Sequence, residues 1–132
     1  MLPVKDAIYF SNGDSFHLRI QLYPTPVLHK GDSFSLISFY KENENEITNI
    51  DILKEVKLSN GFYCCVGDGS YGSEGFVACL DEKRNLLWVV YSEISNPFIS
   101  AFENDFGYII AKSSAEFKLK ICIRDPRDMS LI

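Results

Sequence analysis

The chain is short of several things, and each shortage narrows its class. No apolar run approaches the roughly 20 residues that cross a bilayer, so no membrane partner is expected. The first residues, Met1-Leu2-Pro3-Val4-Lys5-Asp6, lack the basic-then-apolar order of a secretion signal, and the expectation is a cytoplasmic protein. Basic charge is in deficit. Thirteen Lys and Arg stand against 18 Asp and Glu, a formal net charge of -5. Phosphate binding wants surplus cations, so nucleic acid is a poor direct partner and a basic protein a good one. Histidine is scarce, with only His17 and His29. Cysteine is limited to Cys64, Cys65, Cys79 and Cys122, all inside apolar runs, which reads as reduced, mostly buried thiols. No Cys-x-x-Cys pair is present, so spacing supports no metal site, and no cofactor is expected.

What the chain does have is enough to fold. Hydrophobic residues are 46% and aromatics 14% of 132 residues, which suits a single domain over 1–132 and excludes disorder as the default. The dominant period is two. Phe16, Leu18, Ile20 and Leu22 alternate with polar residues, as do Phe117, Leu119, Ile121 and Ile123, so each run predicts a strand with one buried face. Residues 76–80 and 86–91 are apolar throughout and predict central strands covered on both sides. Turn signals separate the runs: Asn12-Gly13, Asn60-Gly61, 81–85, 104–107 and 113–115. Pro24 and Pro26 bracket a turn or an edge, and His29 reads as lying in a turn region. Connections so short allow antiparallel neighbours but no parallel crossovers. Between Glu42 and Glu55 the pattern is ambiguous. Ile47, Ile50 and Leu53 carry a partial helical spacing, and 50–53 also reads as a strand. The fold class predicted is all-β with room for one short helix: an antiparallel β-sandwich or barrel built from hairpins.

Catalytic patterns fail on context. Gly67-Asp68-Gly69-Ser70-Tyr71-Gly72 is a literal G-x-G-x-x-G, but a strand follows it where a dinucleotide site needs a helix. As a kinase loop it has Glu74 in place of valine, and Asp105-Phe106-Gly107 stands without a His-Arg-Asp. There is no Gly-x-Ser-x-Gly elbow. Cys64 or Cys79 as a nucleophile needs a histidine beside it in space, and the acid pairs Asp51 with Glu55 and Asp68 with Glu74 need one member desolvated. The sequence therefore predicts a binding protein and not an enzyme. Asp68, Tyr71 and Glu74 set an aromatic among carboxylates on what reads as a mobile, glycine-rich hairpin. Tyr offers apolar area with a polar tip, and acids steer a basic partner. Glu93 and the acidic stretch Glu42, Glu44 and Glu46 extend that charge. These seven residues are the predicted partner-binding set.

The order of segments in the second half also resembles a known family. Gly69-Ser70-Tyr71-Gly72-Ser73-Glu74-Gly75-Phe76-Val77-Ala78 is followed by Leu86-Leu87-Trp88-Val89-Val90-Tyr91, then Ser95-Asn96-Pro97-Phe98-Ile99, then Tyr108-Ile109-Ile110-Ala111 and Phe117-Lys118-Leu119. This is similar to small bacterial immunity proteins of contact-dependent growth inhibition and related polymorphic toxin systems, over roughly residues 60 to 124. The resemblance implies a cytoplasmic inhibitor that binds the cognate C-terminal toxin domain of a sister-cell surface protein and blocks it without catalysis. Many such toxins are nucleases or other basic proteins, and an acidic partner can occupy the surface where the nucleic-acid backbone would lie. The family's interfaces differ between cognate pairs, so it assigns no binding residue here. The competing reading is a small β-barrel that binds an apolar ligand, its cavity lined by the ten phenylalanines.

Overall fold

The computed structural model describes residues 2–43 and 45–132, the side chain of Pro3 excepted. The chain folds into two antiparallel sheets packed face to face. The larger has seven strands, formed by β2 (Ala7–Phe10), β3 (Ser15–Gln21), β4 (Val27–Ser33), β6 (Asp51–Lys57), β7 (Tyr63–Asp68), β8 (Gly75–Leu80) and β9 (Leu86–Ser92), in the order β4-β3-β2-β9-β8-β7-β6. The smaller is the meander β10 (Phe98–Glu103), β11 (Tyr108–Ser113), β12 (Lys118–Cys122) and β13 (Met129–Leu131). A two-stranded ribbon pairs β1 (Leu2–Pro3) with β5 (Ile47–Thr48), and one helix, α1, runs over Leu36–Glu42.

Hairpin chemistry explains the short connections. Five turns share one frame, in which a residue's N–H reaches the carbonyl four residues on: Phe10 to Asp14, Leu58 to Phe62, Asp81 to Asn85, Asn104 to Tyr108 and Ser113 to Phe117. The fourth residue of each frame has positive φ. Glycine fills it at Gly13, Gly61 and Gly107, while Arg84 (66°) and Glu116 (68°) adopt it as side-chain-bearing residues. The Asn-Gly dipeptides thus make turns with one left-handed residue, one residue longer than the tightest hairpin.

The core lies between the sheets. Ile8, Leu18, Ile20, Val66, Val77 and Val90 from the large sheet meet Phe98, Ile109, Leu119 and Ile121 from the small one. Trp88, almost fully buried, donates its indole N–H to the Ile123 carbonyl at 3.1 Å. Phe98 and Phe117 meet edge to face at 5.9 Å. Both sheets keep free edges, which makes the architecture a sandwich and not a closed barrel. Each flank is tied by polar contacts. Glu103 accepts from the Ser59 N–H and hydroxyl at 2.7 and 2.6 Å. Lys30 donates to the carbonyls of Met129 and Arg127 at 3.1 and 3.3 Å.

A second apolar layer covers the outer face of the large sheet. Ala7, Tyr9, Cys65, Phe76, Ala78, Val89 and Tyr91 are buried there under Leu2, Phe34, Leu36, Ile50 and Leu80. That cover is why β8 and β9 read as apolar on both faces. It also settles the ambiguous stretch: residues 47–48 and 51–57 are strands, and the helix lies earlier, capped by the Ser35 hydroxyl accepting from the Ser38 N–H at 3.2 Å. His29 lies within β4, not in the turn. Among the described residues no helix is long and apolar enough to cross a membrane.

Candidate functional site

The loop between β7 and β8 is organised by one buried carboxylate. Glu74 is 1% exposed. Its Oε1 accepts from the Tyr71 N–H at 2.8 Å and the Thr48 hydroxyl at 2.9 Å, and its Oε2 accepts from the Tyr91 hydroxyl. Thr48 in turn accepts from the Ser70 N–H at 2.9 Å. The loop expected to be mobile is therefore fastened at its centre, and Glu74 serves the loop's own structure and is withdrawn from any surface. The first two glycines of the G-x-G-x-x-G have the same kind of cause, while a Cβ on Gly72 would meet nothing. A Cβ on Gly67 would sit 1.9 Å from the Asp51 carbonyl oxygen, and one on Gly69 would sit 2.4 Å from Glu74 Oε1. Close approach of neighbouring chain, not phosphate binding, requires them.

Fastening the loop presents Tyr71 outward, 61% exposed. Beside it the chain leaving β9 turns over Glu93 and Ile94, and the Asn96 N–H donates to the Ser73 carbonyl at 2.8 Å, which locks the two loops together. The result is a surface groove of about 550 Å³ lined by Glu46, Tyr71, Ser73, Glu93 and the 44%-exposed Ile94, with Glu74 beneath. Four of the seven predicted residues thus come together: Glu46, Tyr71, Glu74 and Glu93. The Glu93 carboxyl is pushed above the usual carboxylate range, first by burial and then by the Glu74 and Glu46 charges, with Lys5 opposing. Asp68 does not join them. It ends β7 opposite Asp51, half-buried, with Oδ1 buried and unpartnered. Glu42 is the exposed last residue of α1 and does not line the groove. Glu44 lies outside the described residues.

A second cleft, about 460 Å³, adjoins the first and shares Val4 and Glu93 with it. Register creates it. Ala7 pairs His17, so β3 outruns β2, and residues 18–21 pair only with β4. His17, Arg19 and His29 lie along this cleft from the β3–β4 hairpin, and Lys5, Asp6 and Glu93 along it from the chain beside β2 and β9. His17 stacks on Phe34 at 4.5 Å between centroids, and the Lys5 ammonium stands 5.1 Å from the same ring and 5.4 Å from Phe39. Burial, then Lys5, hold the His17 imidazole below its usual value, with Asp32 opposing. Asp6 accepts from the Glu93 N–H at 2.7 Å, and burial pushes its carboxyl up to about 6. Asp6 was not visible as a site residue in the sequence: it stands before the first alternating run, and only the fold brings Glu93 to it.

The patterns weighed for chemistry do not assemble. Cys64 and Cys79 point into the sandwich core, and burial pushes both thiols up, Cys79 to about 12. His17 and His29 are exposed, and both line the second cleft. Glu55 is held by Arg84 at 2.5 and 2.9 Å, which keeps its carboxyl below the usual range, and Asp51 is exposed on the same edge strand. All four cysteines are unpaired. Among the described residues no three His, Cys, Asp or Glu gather as metal ligands. Compared with protein-family models, with curated proteins and with solved structures, the chain matches none.

Proposed function

We propose that this chain is an immunity-type inhibitor that binds the C-terminal domain of a cognate basic toxin in the cytoplasm and neutralises it by covering its working surface. The observation that carries this reading is the groove, where Tyr71 and Ile94 stand exposed between Glu46 and Glu93. Exposed apolar anchors rimmed by carboxylates suit a cationic loop: the anchors supply buried area and the acids supply steering. The net charge of -5 acts in the same direction at longer range. Four unpaired thiols suit a reducing compartment.

The test is co-purification with the product of the gene immediately upstream, followed by protection of cells that express it. Tyr71→Ala should weaken that complex by at least about tenfold, a hot-spot loss. Glu46→Gln with Glu93→Gln should slow association and flatten its dependence on salt between about 50 and 500 mM. A full chain that neither binds that product nor protects against it overturns the reading.

A further inference from the structure

We propose that the second cleft binds a free α-amino acid as its zwitterion. Two sets of side chains line it, one of bases and one of acids, and leave each other unpaired. His17, Arg19 and His29 come from the β3–β4 hairpin, and Asp6 and Glu93 from the chain flanking β2 and β9. The ion pairs of the described residues are Arg84 with Glu55 and Arg127 with Asp125, so none joins the two sets. Lys5, also in the cleft, is turned to the rings of Phe34 and Phe39. Both sets are held in place. Asp6 is fixed by the Glu93 N–H, and the hydroxyl of Tyr9 donates to the Lys5 carbonyl at 2.6 Å. His17 is stacked against Phe34, and Arg19 and His29 are cross-strand partners.

Asp6 is partly buried while Arg19, His17, His29 and Glu93 are exposed, so the gain lies in the charge-assisted hydrogen bonds that one ligand carrying both groups makes to each set. A simple anion would meet Asp6 and Glu93, and a simple cation would meet Arg19 and the histidines. A molecule with a carboxylate and an ammonium on one carbon satisfies both sets. Arg19 offers a planar fork for the carboxylate, with His29 beside it. Asp6 and Glu93 accept from the ammonium. Phe39 also lines the cleft and gives an apolar side chain something to lie against, so L-phenylalanine and L-leucine are the first probes.

The experiment adds L-phenylalanine and L-leucine to the intact chain and follows the His17 and His29 imidazole signals by NMR, with calorimetry for affinity. N-acetyl-L-phenylalanine lacks the ammonium, and L-phenylalaninamide lacks the carboxylate. Saturable shifts with the free amino acids, and at least about tenfold weaker binding of each blocked form, are the expected result. Arg19→Gln and Asp6→Asn should each weaken binding by at least about tenfold. Lys112→Gln, on the far sheet, should leave it unchanged. Circular dichroism confirms that each variant is folded. No shift at about 10 mM amino acid, or blocked forms that bind as well as free ones, overturns the proposal. Toxin binding does not enter this measurement, so either proposal can fail without the other.

Discussion

Replacing Glu74 by alanine should cost a large share of the chain's stability. The side chain is 1% exposed and accepts from three donors: the Thr48 hydroxyl, the Tyr71 N–H and the Tyr91 hydroxyl. Alanine leaves the Tyr71 N–H and the Tyr91 hydroxyl without an acceptor, and leaves the Thr48 hydroxyl only the Asn49 carbonyl at 3.4 Å. A stranded buried donor costs about 1–3 kcal/mol, and truncating a buried side chain adds the cost of the void it leaves. A loss of about 4 kcal/mol is expected, against a typical total of about 5–15 kcal/mol. With a urea slope of about 2 kcal/mol per molar, the unfolding midpoint should fall by about 2 M with the slope unchanged. Glu74→Gln is milder, about 1–2 kcal/mol, because the amide oxygen still serves Thr48 and Tyr71 while its NH₂ turns Tyr91 from donor to acceptor. Tyr91→Phe should then cost at least about 1 kcal/mol less in the Glu74→Gln background than in the wild type. A Glu74→Ala midpoint within about 0.5 M of wild type would refute the clamp. If that same variant lost its partner, Glu74 would belong to the interface after all.

Three further outcomes are expected. Folding raises the Asp6 carboxyl from 3.8 to about 6, so the folded state holds that proton more tightly than the unfolded state does. Its stabilising effect is complete below the lower value and is lost as pH rises through the upper one, so Asp6→Asn should gain about 1–3 kcal/mol over wild type at about pH 7 and nothing at about pH 3; a gain that is the same at both pH values refutes this. Glu116 carries a positive φ of 68°, so Glu116→Gly should stabilise by about 1 kcal/mol, while Gly61→Ala at φ +90° should destabilise by a similar amount, both read from thermal melts. Half-buried Cys122 should react with a thiol reagent before Cys64, Cys65 and Cys79, whose burial pushes the thiols up, and all four should react at one rate in denaturant.

Strand patterning was legible because one-sided burial imposes a period of two, as at Leu18 and Ile20 or Leu119 and Ile121. Two-sided burial was legible too, since residues 76–80 and 86–91 carry no polar alternation and lie at the middle of the seven strands. The helix was not. Leu36–Glu42 spans only two turns with no buried residue, so it leaves little periodic mark, and its Ser35 cap is a single common residue. Sandwich and barrel give the same alternation, and only the free edges at β4, β6, β10 and β13 separate them. At the site, charge and aromaticity pointed to Tyr71, Glu46 and Glu93, but nothing local distinguished the acid turned inward. Glu74 is drawn inward by Tyr91 and Thr48 as well as by the Tyr71 N–H, and the first two contacts join distant parts of the chain. The same limit hid Asp6 and the opposed walls of the second cleft, because register between β2 and β3 decides where the former ends and the latter runs on.

The strand order has a consequence for synthesis. Strands β6 to β9 and β10 to β13 are each laid down as consecutive neighbours, and so are β2 to β4, but β2 joins the rest only by pairing with β9. That partner begins roughly 80 residues later, or about 4–16 s at ordinary elongation rates. For that interval Ala7–Phe10 presents an open ladder of backbone amides and carbonyls, bearing Ile8 on one side and Tyr9 on the other. The β2–β4 hairpins emerge before the strands they must join and are among the last to find their place, which makes them the stretch where ribosome-associated chaperones have the most to hold.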